Sequence, residues 1–170
     1  MIFDLSVPPG FLAPEIALLT AALVDGTREA RAELGAVTAE ELAFTAGPKG
    51  PSAAAVLLHH AFVERAWVLG DLLNEDWMMI RAPFPEFSDE WSPASGWPAV
   101  PGITLEELYR RSDEVRRETL SRLATIPDAR QETVANDPPE TARWVVNHLI
   151  GHEAYHFGQA VLLIELARSR

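Results

Sequence analysis

The five histidines of this sequence fall in two short stretches: His59 and His60 in VLLHHAFVERAW, and His148, His152 and His156 in NHLIGHEAYHFGQ. Residues of an α-helix turn by ~100° each, so steps of four drift by only ~40°. His148, His152 and His156 therefore share one stripe, bordered by Tyr155 and Gln159. Two imidazoles at i and i+4 can aim ring nitrogens at one cation ~2 Å away. Leu149, Ile150, Ala154 and the run Val161–Ile164 fill much of the remaining helix surface, which predicts a helix buried on most sides. Buried imidazoles need partners. For any one of them a hydrogen bond in the core would do, but the pair His152 and His156, with further histidines on a second helix, favours a metal. His148 is left between a pocket role and simple packing, and Tyr155 and Trp67 read as core.

Residues 152–156, HEAYH, fit the H-E-x-x-H pattern of zinc proteases. A protease needs a third ligand from further along the chain. Glu165, the sole carboxylate after His156, would lie ~13 Å away along the same helix. Gln159 and Leu162 stand where the extended metzincin pattern needs Gly and His, and no strand is predicted to align a peptide. The other histidine-bearing helix is the better source, since facing helices of a bundle build metal sites in their shared core. His59 and His60 point ~100° apart, and spacing alone leaves open which of them faces inward.

Apolar residues recur at helical spacing in nearly every long segment, with no alternating strand pattern. A first helix is predicted over about 10–34, with Phe11, Ile16, Leu19, Ala22 and Leu23 on one face, stopped by Gly35. Thr38 and Glu41 form a capping-box pattern for a short helix, and AGPKGPS breaks the chain. Ser52 caps a helix over about 52–73. Thr104 and Glu107 form a second capping box, for a helix over about 104–125. The last helix is predicted from Asp137, with Pro138 at its first position and Glu140 completing the cap, to about 168. Four long helices without strands make a four-helix bundle in a single domain, residues 1–170. Residues 74–102 form a long acidic insert carrying Trp77, Trp91 and Trp97. Its aromatic content predicts an ordered segment packed on the bundle, with use as a pocket lid as the alternative.

Composition narrows the function classes. The 170 residues carry 14 basic against 25 acidic side chains, a net charge of −11. That balance argues against direct binding of nucleic acid or of an anionic membrane surface. The absence of cysteine excludes disulfides, thiolate metal ligands and a cysteine nucleophile, so a thiol nucleophile would have to come from outside. The N-terminus lacks a signal-peptide pattern and no apolar run reaches ~20 residues, which predicts a cytoplasmic protein.

The helix-two stretch followed by NHLIGHEAYHFGQAVLLIELAR resembles the DinB/YfiT-like family of four-helix metal proteins. In that family a helix-two His precedes a Glu by five residues, and the last helix carries H-x-x-x-H followed by x-G-Q. The resemblance implies that Glu64 sets the register and selects His59, that His152 and His156 are the last-helix pair, and that Gly158 and Gln159 stand in their usual places. It further implies an all-α, up-down-down-up bundle holding one divalent metal ion on His59, His152 and His156. Three imidazoles suit zinc, nickel, iron or copper, with zinc the first expectation. Relatives leave positions on the metal open, often form homodimers, and include S-transferases that use low-molecular-weight bacterial thiols, a thiol-dependent isomerase and hydrolases. The insert is not part of the shared pattern.

The expected function is thus a metal-dependent enzyme that transfers a low-molecular-weight thiol to a small electrophile. Three protein ligands with an open position is the catalytic arrangement, able to lower the pKa of a bound water or thiol. Glu64, Glu153 and Gln159 are the pocket candidates, Gln159 as a hydrogen-bond partner of a ligand imidazole. A salt bridge or solvent contact is the plainer expectation for Glu153, and helix packing the alternative for Glu64. The rival readings are a metal-dependent hydrolase and a non-catalytic bundle in which a metal or apolar ligand only stabilises the fold.

Overall fold

The computed structural model describes residues 4–87, 96–134 and 136–170. It is all-helical, with no named strand among the described residues. The helices are α1 (Pro14–Leu34), α2 (Ala39–Ala43), α3 (Ala53–Arg65), which runs on as a π-helical segment (Ala66–Leu72), α4 (Trp77–Arg81), α5 (Leu105–Leu123) and α6 (Ala142–Arg168).

Local chemistry sets most of the boundaries. Pro14, which has no N–H to leave unpaired, takes the first turn of α1, so Phe11 lies outside the helix predicted to hold it. Thr38 and Glu41 form the reciprocal capping box at α2. Ser52 caps α3 by accepting from Ala55 N–H at 3.1 Å. Thr104 accepts from Glu107 N–H at 3.2 Å, but the Glu107 carboxylate turns to Arg110, so this cap is one-sided rather than a box. The last helix begins at Ala142 with Thr141 as its cap, not at Asp137. Ala142 N–H donates to Gln131 O and Arg143 N–H to Ala129 O, which uses up donors that a helix begun at Pro138 would need internally.

The apolar side chains form two clusters along the bundle, and Phe62 packs against both. One joins Leu34, residues 53–58, Leu108, Phe157 and Ile164; the other joins Ile16, Leu69, Leu123, Val145 and Leu149. The start of α3 thus packs beside the start of α5 and the end of α6. The start of α1 packs beside the start of α6. Relative to α1, the bundle helices α3, α5 and α6 run down, down and up.

This topology accounts for the long insert. Parallel neighbours such as α3 and α5 need a return path along the bundle, ~30 Å for a twenty-residue helix. Along that path α4 seats against the π-helical segment so tightly that a Cβ on Gly70 would lie 2.9 Å from Trp77 Cζ2 and 3.0 Å from Ile80 Cδ1. Phe84, Phe87 and Val100 are buried in the core, and Arg111 of α5 holds Glu86 at 2.7 Å. These contacts match the expectation of an ordered, packed segment, while Trp91 and the rest of 88–95 lie outside the described residues.

Candidate metal centre

His59 on α3 and His152 and His156 on α6 meet in the bundle, with one potential ligand atom from each ring within 4.8 Å of the others. The i,i+4 spacing sets Nε2 of His152 and Nε2 of His156 3.1 Å apart. The His59 ring centroid lies 4.9 Å from that of His156 and 5.3 Å from that of His152. On its other sides His59 meets Trp97 at 5.3 Å and Phe87 at 6.0 Å, so the insert walls one flank of the cluster.

Burial leaves these rings neutral. It pushes His59 down to about 3, with the imidazoles of His156 and His60 adding to the effect. His152 is likewise pushed to about 3, by burial first and then by its imidazole neighbours. Burial also lowers His156, against a hydrogen bond to Gln159 that favours the charged ring. Neutral imidazole is the form that binds a metal.

Gln159 orients one ring. Its Nε2 donates to Tyr155 Oη at 3.0 Å, which leaves Oε1 to accept from His156 Nδ1 at 2.7 Å. With the proton on Nδ1, the lone pair of His156 sits on Nε2 and faces the cluster. Nδ1 of His152 is buried with no hydrogen-bond partner among the described residues. Three neutral imidazoles with ligand atoms within 4.8 Å of one another, one of them held in a fixed tautomer, suit a borderline divalent cation such as zinc.

The other expected residues sit elsewhere. His148 is half-buried, stacked on Trp144 at 4.9 Å and 5.6 Å from the His152 ring. It lies beside the cluster without joining it. Trp67 packs against the rings of Trp144 and His148 at the edge of the core. Tyr155, expected in the core, is 63% exposed. The last helix is also more open than its composition implies: Ala154, Gly158 and Leu162 are exposed, because α6 packs chiefly on α1 and α3 and leaves a third face to solvent.

Glu64 and Glu153 are 2% and 3% exposed. Both carboxylates are held by Arg116 of α5, at 2.8 and 2.9 Å. Burial pushes Glu64 up, but the Arg116 guanidinium and the Thr119 hydroxyl more than offset this and hold it below its ordinary value. His60 turns from the cluster toward this network, 3.6 Å from Glu153, and burial keeps it below its ordinary value despite both carboxylates. The sequence reading did not single out Arg116. The signal was indirect: two carboxylates on apolar helix faces call for a buried cation.

The sequence profile of the DinB superfamily matches residues 22–160. No curated protein matches the chain. No helix among the described residues is long and apolar enough to cross a membrane.

Proposed function

The chain belongs to the DinB superfamily, and on that premise we propose that it is a metal-dependent enzyme transferring a low-molecular-weight thiol to a small electrophile. The observation carrying this reading is the convergence of His59, His152 and His156 from two helices in a chain without cysteine. When bound, a divalent cation (zinc first, nickel or iron otherwise) supplies Lewis acidity that favours the thiolate over the thiol near neutral pH.

The protein's own groups do the rest. His59, His152 and His156 offer neutral nitrogens, and Gln159 fixes the tautomer of His156. Phe87 and Trp97 shield one flank. Exposed Tyr155 has its ring 5.1 Å from that of His156. Its oxygen accepts from Gln159, so its own proton remains available to a ligand. The reading extends to a homodimer, for which the largely apolar channel between α1 and α6, lined by Ala22, Gly26, Ala154, Phe157 and Gly158 together with Glu29 and Glu33, is a candidate face.

A panel of low-molecular-weight thiols and electrophiles tests the transfer step. Turnover should require both the thiol and the loaded metal, and should be lost in His156→Ala. No thiol consumption across the panel by metal-loaded protein counts against transfer. Cobalt substitution then separates the rivals: a change in the visible spectrum on adding thiol supports an open site, and no change supports a metal that only stabilises the bundle.

A further inference from the structure

Arg116 sits on α5, a helix that contributes none of the three clustered imidazoles, and it grips both helices that do. Its Nε and Nη2 donate side-on to the two oxygens of Glu64 on α3 at 2.8 and 2.9 Å. Nη2 also donates to Glu153 Oε2 on α6 at 2.9 Å, and Nη1 to the Thr27 hydroxyl on α1 at 2.8 Å. Thr119 Oγ1 donates to Glu64 Oε1 at 2.5 Å, and Thr27 Oγ1 lies 2.6 Å from Glu153 Oε1. Each carboxylate oxygen has a partner, and all four long helices meet in the network.

Stability is a poor reason to retain such a cluster. Replacing a buried ion triad by apolar side chains of similar volume is often neutral or stabilising, and the best-attested use of buried polar groups is to fix register. Register matters here because Glu153 adjoins His152 and Glu64 lies five residues beyond His59. Slipping one helix by a single residue moves its imidazoles 1.5 Å along the axis and ~100° around it, far outside the ±0.2 Å that metal–ligand distances tolerate.

We infer that Arg116 is a positioning residue for the metal centre: by binding Glu64 and Glu153 together it fixes α3 against α6 so that His59 meets His152 and His156. The side-on fork suits this task, since a planar guanidinium specifies direction as well as distance. The inference rests on the metal-centre reading above.

Two variants test it, after wild-type protein has been shown to bind zinc. The triple variant Glu64→Leu, Arg116→Met, Glu153→Leu removes the buried charges together. Its metal-free form should melt at or above the wild-type temperature, while its zinc affinity, measured by chelator competition, falls about 10- to 100-fold. Wild-type affinity in this variant overturns the inference. So does a loss of affinity that merely tracks a lower melting temperature of the metal-free form, which would assign the cluster to stability alone. If the triple variant does not fold, Arg116→Lys, which keeps the charge and loses the fork, takes its place. Weaker zinc binding with a shifted cobalt spectrum supports positioning; unchanged affinity and spectrum overturn it. Wild-type protein that binds no divalent cation removes the metal-centre reading itself, before any variant is compared.

Discussion

Gln159 Oε1 accepts a 2.7 Å hydrogen bond from Nδ1 of His156, the ring whose Nε2 faces His152. One amide thereby decides which nitrogen of a candidate ligand carries its proton. Gln159→Leu should weaken metal binding about tenfold by releasing that ring, with little change in the melting temperature of the metal-free protein. Tyr155→Phe removes only the group that orients the amide and should have a smaller effect. Chelator competition on both variants checks the order, and equal wild-type affinity in Gln159→Leu would contradict the tautomer argument.

The pH dependence of stability follows from the same rings. His59 and His152 are held near 3 in the fold against an ordinary value of 6.5, so the unfolded chain takes up protons first as the pH falls. Stability present above pH 6.5 should be lost progressively toward pH 3, by up to ~1.4 kcal/mol per pH unit for His59 and by less for the more exposed His152. Buried His60 acts in the same direction. Chemical denaturation of metal-free protein at pH 7 and pH 5 measures this, and equal stability at the two values would speak against neutral buried imidazoles.

Gly70 marks the seat of the insert on the bundle. Alanine there would gain helix propensity but place its Cβ within 3.0 Å of the Trp77 and Ile80 side chains. The overpacking should win and lower stability by ~1–3 kcal/mol. A thermal melt of Gly70→Ala checks it; a variant as stable as wild type would show that α4 seats more loosely.

The sequence carried the helices and the histidines well because both announce themselves by period: apolar residues every three or four positions, and imidazoles at i and i+4. Thr38, Ser52 and Thr104 marked helix starts through short-range hydrogen bonding that spacing reveals. Only the start of the last helix differs, because Asp137-Pro138 is a sound local start signal, yet the backbone of Ala142 and Arg143 bonds to Gln131 and Ala129, a contact that no local pattern encodes. The choice between His59 and His60 came only through the family resemblance, since both lie in the buried stretch 53–61 of α3 and look alike by spacing. Arg116 escaped notice because a charged residue in VRRETLSRL reads as solvated, and its partners lie on α1, α3 and α6. Tyr155 departs from the core position expected of it because α6 leaves one face open to solvent, which its own spacing does not reveal.

Everything proposed for this site requires His59 to join His152 and His156 around one cation. Metal analysis of purified protein and of single alanine variants tests it most directly. Wild type and His148→Ala should each hold about one equivalent of divalent metal per chain, with loss of metal in His59→Ala and in His156→Ala. Full occupancy retained in His59→Ala would contradict it.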